Sequence, residues 1–444
     1  MPTVHVVHCV DTEGPFTEDI NHTLKRINSI FKTNFKNKKS IENYINNPSY
    51  FNTYKYRAIR KIYNPDYLNY NNTWSKIRKM LKKILNKSFR NKVIDDFGRG
   101  WIYSWHCVDH LYFNKHNPRK KIKGYGKVFK FYQKILKKYK CNFDEVNWHF
   151  HPTSIEKNSI ASCSTYSHSY STLLYILSRR IIEDKWFPVV NRPGFHIERP
   201  DSHLFLEQWI PFDYANQNCN IHNDQPDYKS GRFGDWRRSP KSWRGYNPSI
   251  NDYQIEGYCK RKIFRILNIG TRFNNIKKTH IIEAFNEAKK YGNSILAVTN
   301  HDYRNMEKSI DDFRNDLQKI RRKFKNVNIK FSGAEEAATR ILNKKKKKIF
   351  WTAKLLNNQL IVELTNGKIF SAQPFLAIKT KNNKFYHENF DIIKKDKLWS
   401  FYFDYNTIDI NKVSKIGIGA AGIHGGFKTT VLDIKKTIMK CINK

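Results

Sequence analysis

The chain has 444 residues and a formal net charge of +42, from 81 lysines and arginines against 39 aspartates and glutamates. Hydrophobic residues at 39% and aromatics at 15% suffice for packed cores and exclude a disordered chain. No apolar run approaches the ~18 residues of a membrane-spanning helix, so no transmembrane segment is expected.

The length exceeds one usual core and predicts two domains. Seven scattered cysteines without a CxxC pair predict reduced thiols and a cytoplasmic setting. The N-terminus enters a strand almost at once, which predicts no signal peptide. The positive charge is spread along the chain, and lysine, asparagine, isoleucine and tyrosine abound together. Compositional bias accounts for that pattern, and no zinc-finger or RNP-type motif is present, so no specific nucleic-acid partner is expected. Oligomeric state leaves no mark in the sequence.

In chain order, the β-branched run Val4–Val10 predicts a buried strand, ending at Asp11-Thr12-Glu13-Gly14-Pro15. Residues 16–95 read as a helical, basic insertion, in which Ile77, Met80, Leu81, Ile84 and Leu85 recur at helical spacing. A strand at Trp101–Trp105 leads into Val108-Asp109-His110. A helix over Val128–Tyr139 precedes a strand carrying Trp148-His149-Phe150-His151-Pro152. A helix at Leu173–Ile182 is followed by Val189–Gly194, and then by Trp209–Tyr214 with Asp213 at a strand end. Residues 216–258 read as loop. A helix at 279–290 feeds the buried strand Ile295–Thr299, which exits at Asn300-His301-Asp302. A charged helix and Val327–Phe331 complete the set. This alternation predicts an α/β fold, a parallel (β/α) barrel with its chemistry at the C-terminal rim.

The texture changes at the lysine run Lys344–Lys348. Strand-like pieces at Ile349–Leu355, Gln359–Leu364, Phe375–Lys379, Trp399–Phe403 and Ile416–Ala420 are separated by hairpin signals. The reading is therefore a barrel over 1–342 and a small all-β, sandwich-like domain over 349–444.

Alternation along the first strand points Asp11 and Glu13 the same way. Two carboxylates in that arrangement need a proton or a cation to coexist. His149 and His151, also two apart, offer two imidazoles on one side. With Glu13 or Asp11 as third ligand they form a facial set with open positions for water. A divalent cation follows as the expected cofactor, zinc foremost, with manganese, cobalt or nickel as alternatives.

These residues resemble the motifs of the polysaccharide deacetylase family, metal-dependent carbohydrate esterases with a deformed (β/α) barrel of the glycoside hydrolase/deacetylase type. The resemblance covers about residues 1–340. Val10-Asp11-Thr12-Glu13-Gly14-Pro15 is similar to the first motif, which implies Asp11 as general base and Glu13 as metal ligand. Trp148-His149-Phe150-His151-Pro152 resembles the H-x-H form of the second and implies His149 and His151 as ligands; in the commoner form the pair is four apart, where Thr153 stands here. Asn191-Arg192-Pro193-Gly194-Phe195 implies that Arg192 positions the base. Gly234-Asp235-Trp236 implies a catalytic role for Asp235 in orienting the histidine and lining the acyl pocket. Val298–Asp302 implies His301 as general acid. The implied activity is metal-dependent removal of an N-acetyl group from an amino sugar in surface polysaccharide or lipopolysaccharide synthesis. Trp236 and Trp243 are candidate sugar-stacking residues. Two other readings compete with this one: a carbohydrate-binding protein with a degenerate barrel, and an amidohydrolase acting on another C–N bond.

Overall fold

The computed structural model describes residues 1–64, 68–111, 124–152, 166–219, 234–343 and 347–434. Its first eight strands are β1 (Thr3–Thr12), β2 (Ser104–Val108), β3 (Glu145–Phe150), β4 (Val190–Pro193), β5 (Phe212–Asn216), β6 (Lys262–Asn268), β7 (Asn293–His301) and β8 (Asn328–Ser332). Every residue of β1 is buried, because both of its edges are hydrogen-bonded. On one side it runs parallel to β7 along nearly its whole length. On the other it pairs with β8 over Thr3–Val7 and with β2 over Cys9–Thr12. From β2 the order continues through β3, β4, β5 and β6 to β7, all parallel, which closes a seven-strand barrel with β8 outside the closure.

Register brings the chemistry level. Asp11 lies beside His301 of β7 and His106 of β2, and His149 of β3 lies beside Arg192 of β4. Val4, Val6 and Val10 join one core cluster and Val7 and Cys9 another, so Asp11 continues the face of Val7 and Cys9.

The expected helix in the basic insertion spans Trp74–Ile84, with Ile77, Met80, Leu81 and Ile84 buried and the lysines outward. Three earlier helices, Ile20–Phe31, Lys38–Ile45 and Tyr54–Ile62, start where Asp19, Asn37 and Thr53 accept hydrogen bonds from first-turn backbone N–H groups. They form a small core of their own from Leu24, Ile27, Ile41, Ile59 and Ile62, closed by Phe273 from the segment after β6. The insertion therefore sits over the loops that leave β6 and β7.

The barrel's last helix is Ala334–Ile341, and the antiparallel part begins at Phe350. It has two four-stranded sheets: β9 (Phe350–Leu356), β10 (Gln359–Asn366), β13 (Asp391–Lys394) and β14 (Leu398–Tyr402) in one, β11 (Phe375–Thr380), β12 (Phe385–Glu388), β15 (Val413–Ala421) and β16 (Phe427–Asp433) in the other. Leu360, Val362 and Trp399 from the first sheet share a core with Leu376, Ile378, Ile416 and Ile418 from the second, which makes a sandwich. Phe375 and Ala377 join the core under the helix Tyr170–Asp184.

Three details depart from expectation. The second strand begins at Ser104 rather than Trp101, because its partner residues on β1 begin at Cys9; Trp101 N–H instead bonds the Arg90 carbonyl. β6 was missed because Lys262 and Arg265 interrupt its apolar run, yet Arg265 is buried over the Trp243 ring at 4.5 Å and paired with Glu283 at 2.9 Å. β12, β13 and β16 were missed because their few apolar residues are half-buried or exposed and show no period-two alternation. Thr153, Cys163, Cys441 and Lys344–Lys346 lie outside the described residues. The other five cysteines are free thiols. No helix among the described residues is long and apolar enough to cross a membrane.

Candidate metal centre

Glu13 follows β1 directly and is held at both of its backbone groups. Its N–H donates to Asp302 Oδ1 at 2.9 Å, and its carbonyl accepts from His110 Nε2 at 2.9 Å. Asp302, fully buried, also accepts from Gly14 N–H at 3.0 Å and from the Tyr132 hydroxyl at 2.9 Å. The turn bearing the first acids is thus anchored by a carboxylate at the exit of β7.

His149 Nδ1 lies 2.6 Å from the Arg192 carbonyl, a contact only an N–H can make, so the lone pair is on Nε2. That Nε2 is 3.0 Å from Nε2 of His151, and His151 Nε2 is 3.5 Å from Glu13 Oε1. One ligand atom from each of Glu13, His149 and His151 falls within 4.8 Å of the others, and all three residues are buried. Two nitrogens about 2.0–2.1 Å from a tetrahedral ion sit about 3.3 Å apart, so two imidazoles and a carboxylate at these separations fit a zinc-sized cation. Burial, with His151 second, pushes His149 well below the usual imidazole range and keeps it neutral, as a ligand must be.

Asp11 is the other acid. Arg192, itself fully buried, donates from Nε to Asp11 Oδ1 at 2.6 Å and from Nη1 to the Tyr214 carbonyl at 3.0 Å. Burial raises Asp11 to about 6, with Arg192 pulling the other way. A carboxylate tuned towards neutrality suits a general base. His301 Nε2 lies 3.6 Å from Asp11 Oδ2 and 3.8 Å from Glu13 Oε1. Its side chain is 21% exposed against 1% for His149, so the site opens on the His301 side.

The segment after β4 shapes the opposite wall. A Cβ on Gly194 would lie 2.5 Å from the His151 ring, so only glycine lets the backbone pass there. Phe195 and His196 follow with φ of 53° each, in the left-handed region. They are held by Gly234 N–H to the Phe195 carbonyl at 3.0 Å and by the Trp236 indole to the His196 carbonyl at 2.8 Å. Phe195 packs edge-on against His151 at 5.0 Å.

No family model, curated protein or solved structure matches the chain.

Six of the seven residues singled out from the sequence, Asp11, Glu13, His149, His151, Arg192 and His301, gather at this one site. Asp235 does not. The backbone of Gly234 and the indole of Trp236 clamp the loop inward, which turns the side chain between them outward; Asp235 pairs with Arg237 at 2.7 Å and is 38% exposed. The Arg237 hydrogen bond lowers its pKa. Trp236 and Trp243 are buried core residues and offer no open face for a sugar. Asp213 is fully buried and accepts from Arg261 at 2.6 Å and from Asn191 at 3.0 Å, inside a network that includes Glu198. Asp302, His110 and His196 were not selected from the sequence. Asp302 stands next to His301 at the strand exit, a position that could have drawn attention, whereas His110 and His196 carry no distinguishing spacing.

Proposed function

We propose that the protein is a metal-dependent hydrolase that removes an N-acyl group, acetyl foremost, from an amino sugar, and that its barrel is of the deacetylase type. The observation that carries the reading is the convergence of Glu13, His149 and His151 on one point, with Asp11–Arg192 and His301 beside it. A divalent cation held by those three residues supplies polarisation of the acyl carbonyl and an acidified water. Zinc suits two imidazoles and a carboxylate best, with manganese, cobalt or nickel as alternatives.

The remaining work falls to the chain's own groups. Asp11, aligned by Arg192, accepts the proton of the attacking water. His301, on the open side, donates a proton to the departing nitrogen as the C–N bond breaks and the C–O bond of the released acid is complete. Arg192 keeps one Asp11 oxygen occupied, so the other is left for the water. The site's place among reactions that build surface polysaccharide, and a cytoplasmic setting, belong to the same proposal.

Elemental analysis of purified protein beside His149→Ala and Glu13→Ala tests it. About one equivalent of metal, lost in both folded variants, together with acetate release from N-acetylated amino sugars, is the expected result. No metal uptake by the wild-type protein, or uptake unchanged in both variants, would refute it.

A further inference from the structure

The basic excess of the chain is not uniform. Its two longest runs without an aspartate or glutamate are residues 67–94, with 8 lysines and arginines, and 110–143, with 11. The fold brings these runs side by side through the helices Trp74–Ile84 and Lys127–Lys138. Trp74 packs on Phe131 with ring centres 4.1 Å apart, Arg78 Cζ lies 5.3 Å from the same ring, and beyond the helix ends Arg90 pairs with Asp144 at 2.7 Å. Ile77, Leu81 and Ile84 of one helix and Phe129, Tyr132 and Leu136 of the other join the same core, which leaves the lysines of both outside. Arg78, Lys79, Lys82, Lys130, Lys134 and Lys137 are exposed and make no ion pair among the described residues. Only the flank towards the helix Glu307–Arg321 is neutralised, where Lys83 reaches Glu307 at 3.2 Å and Lys92 reaches Asp311 at 2.7 Å. At the foot of both helices the surface turns apolar. Phe143, after the second helix, is 61% exposed, and Ile94 and Phe97, on the loop after Arg90, are 48% and 50% exposed. Arg99 of that loop lies over the Phe143 ring at 4.8 Å, so the loop and Phe143 adjoin. Asp96, Glu336 and Asp144 beside them are paired with Arg321, Arg99 and Arg90.

We propose that these two helices, with Ile94, Phe97 and Phe143 at their foot, dock the protein on the surface of an anionic phospholipid bilayer. Lysines on such a face answer the charge of anionic headgroups, and the apolar side chains beside them enter the headgroup boundary. Duplex DNA fits the face less well. Both helices lie flat against the barrel core, so neither can enter a major groove, and the apolar foot would go unused. The upper end of the face meets the rim of the metal site, because Asn71, three residues before Trp74, donates to the carbonyls of Asp302 at 3.1 Å and Arg304 at 3.0 Å. A docked molecule therefore holds its metal centre beside the membrane surface. The docking face itself does not depend on the hydrolase reading above.

The test is sedimentation of the full chain with vesicles of phosphatidylglycerol and phosphatidylcholine, beside vesicles of phosphatidylcholine alone, at about 0.15 M salt, where the screening length is about 8 Å. The wild type is expected to bind only the anionic vesicles. A variant combining Lys79→Gln, Lys82→Gln, Lys134→Gln and Lys137→Gln should bind them at least about tenfold more weakly. A second variant, with Lys381→Gln, Lys384→Gln, Lys394→Gln and Lys395→Gln, removes the same charge from exposed positions of the sandwich and should bind as the wild type does. Phe97→Ser with Phe143→Ser leaves the charge unchanged and should weaken binding severalfold. Every substituted side chain is exposed, so all three variants should keep the wild-type circular dichroism. No binding by the wild type, or equal losses in the two lysine variants, would overturn the docking face. Unchanged binding by the phenylalanine variant, beside a loss in the helix variant, would overturn the bilayer as its occupant in favour of another polyanion such as DNA.

Discussion

Asp302 places one buried carboxylate under two backbone N–H groups and a tyrosine hydroxyl, all of them on or beside the turn that presents Glu13. Asp302→Asn turns one of these acceptors into a donor facing another donor. The loss should be about 1–3 kcal/mol in unfolding free energy and about 10–100-fold in metal affinity, read by denaturant unfolding and metal titration. Gly194→Ala makes a sharper case. Its Cβ falls 2.5 Å from the His151 ring, so the ring must move off Glu13 and His149. Metal affinity should fall at least about tenfold, by the same measure as loss of a ligand's support, with circular dichroism unchanged.

The elements carry a pH dependence of their own. His8 in β1 accepts from the Trp101 indole at Nδ1, 3.0 Å away, and its Nε2 faces Asn300 Oδ1 at 3.0 Å, so the neutral Nε2–H tautomer is the one that fits. Burial lowers its pKa from 6.5 to about 3. Between those values the unfolded chain protonates this ring and the folded chain does not. The unfolded state therefore binds more protons, and stability is lost as pH falls through that window. The contribution is about 1.4 kcal/mol per pH unit. Urea unfolding at pH 7 and pH 5 should show a smaller pH slope in His8→Gln than in the wild type; an equal slope would refute the assignment. The insertion behaves as a separate element. Ile59→Ala opens its small core at a cost of about 2–5 kcal/mol, and limited proteolysis should then cut first within residues 16–64.

At the scale of the whole molecule the net charge of +42 acts through self-repulsion. Raising salt from about 0.05 to 0.5 M shortens the screening length severalfold, so Tm should rise with ionic strength. Any affinity for duplex DNA should collapse over the same range without sequence preference. A Tm that falls monotonically with added salt would mean that the ion pairs outweigh the repulsion.

What the sequence determined by itself is local and periodic. The β-branched run of β1, the i, i+3, i+4 spacing of the helix Trp74–Ile84 and the two-residue spacings Asp11–Glu13 and His149–His151 are facts of side-chain direction, readable without a fold. Six of the proposed site residues were legible because each sits at or just past the end of a buried strand. Tertiary structure decided the rest. Whether Gly234-Asp235-Trp236 turned its carboxylate or its indole inward depended on which groups the strained Phe195–His196 turn left to be satisfied, and it was the indole. β6 was hidden because the cost of burying Arg265 is met by Glu283 and Trp243, neither of them near it in sequence. Asp302 and His110 act through backbone groups of a turn far along the chain, and the insertion reaches the β7 exit only because Asn71 folds back onto Asp302, Tyr303 and Arg304. Contacts between distant segments are set by how the barrel closes, and no spacing along the chain encodes them.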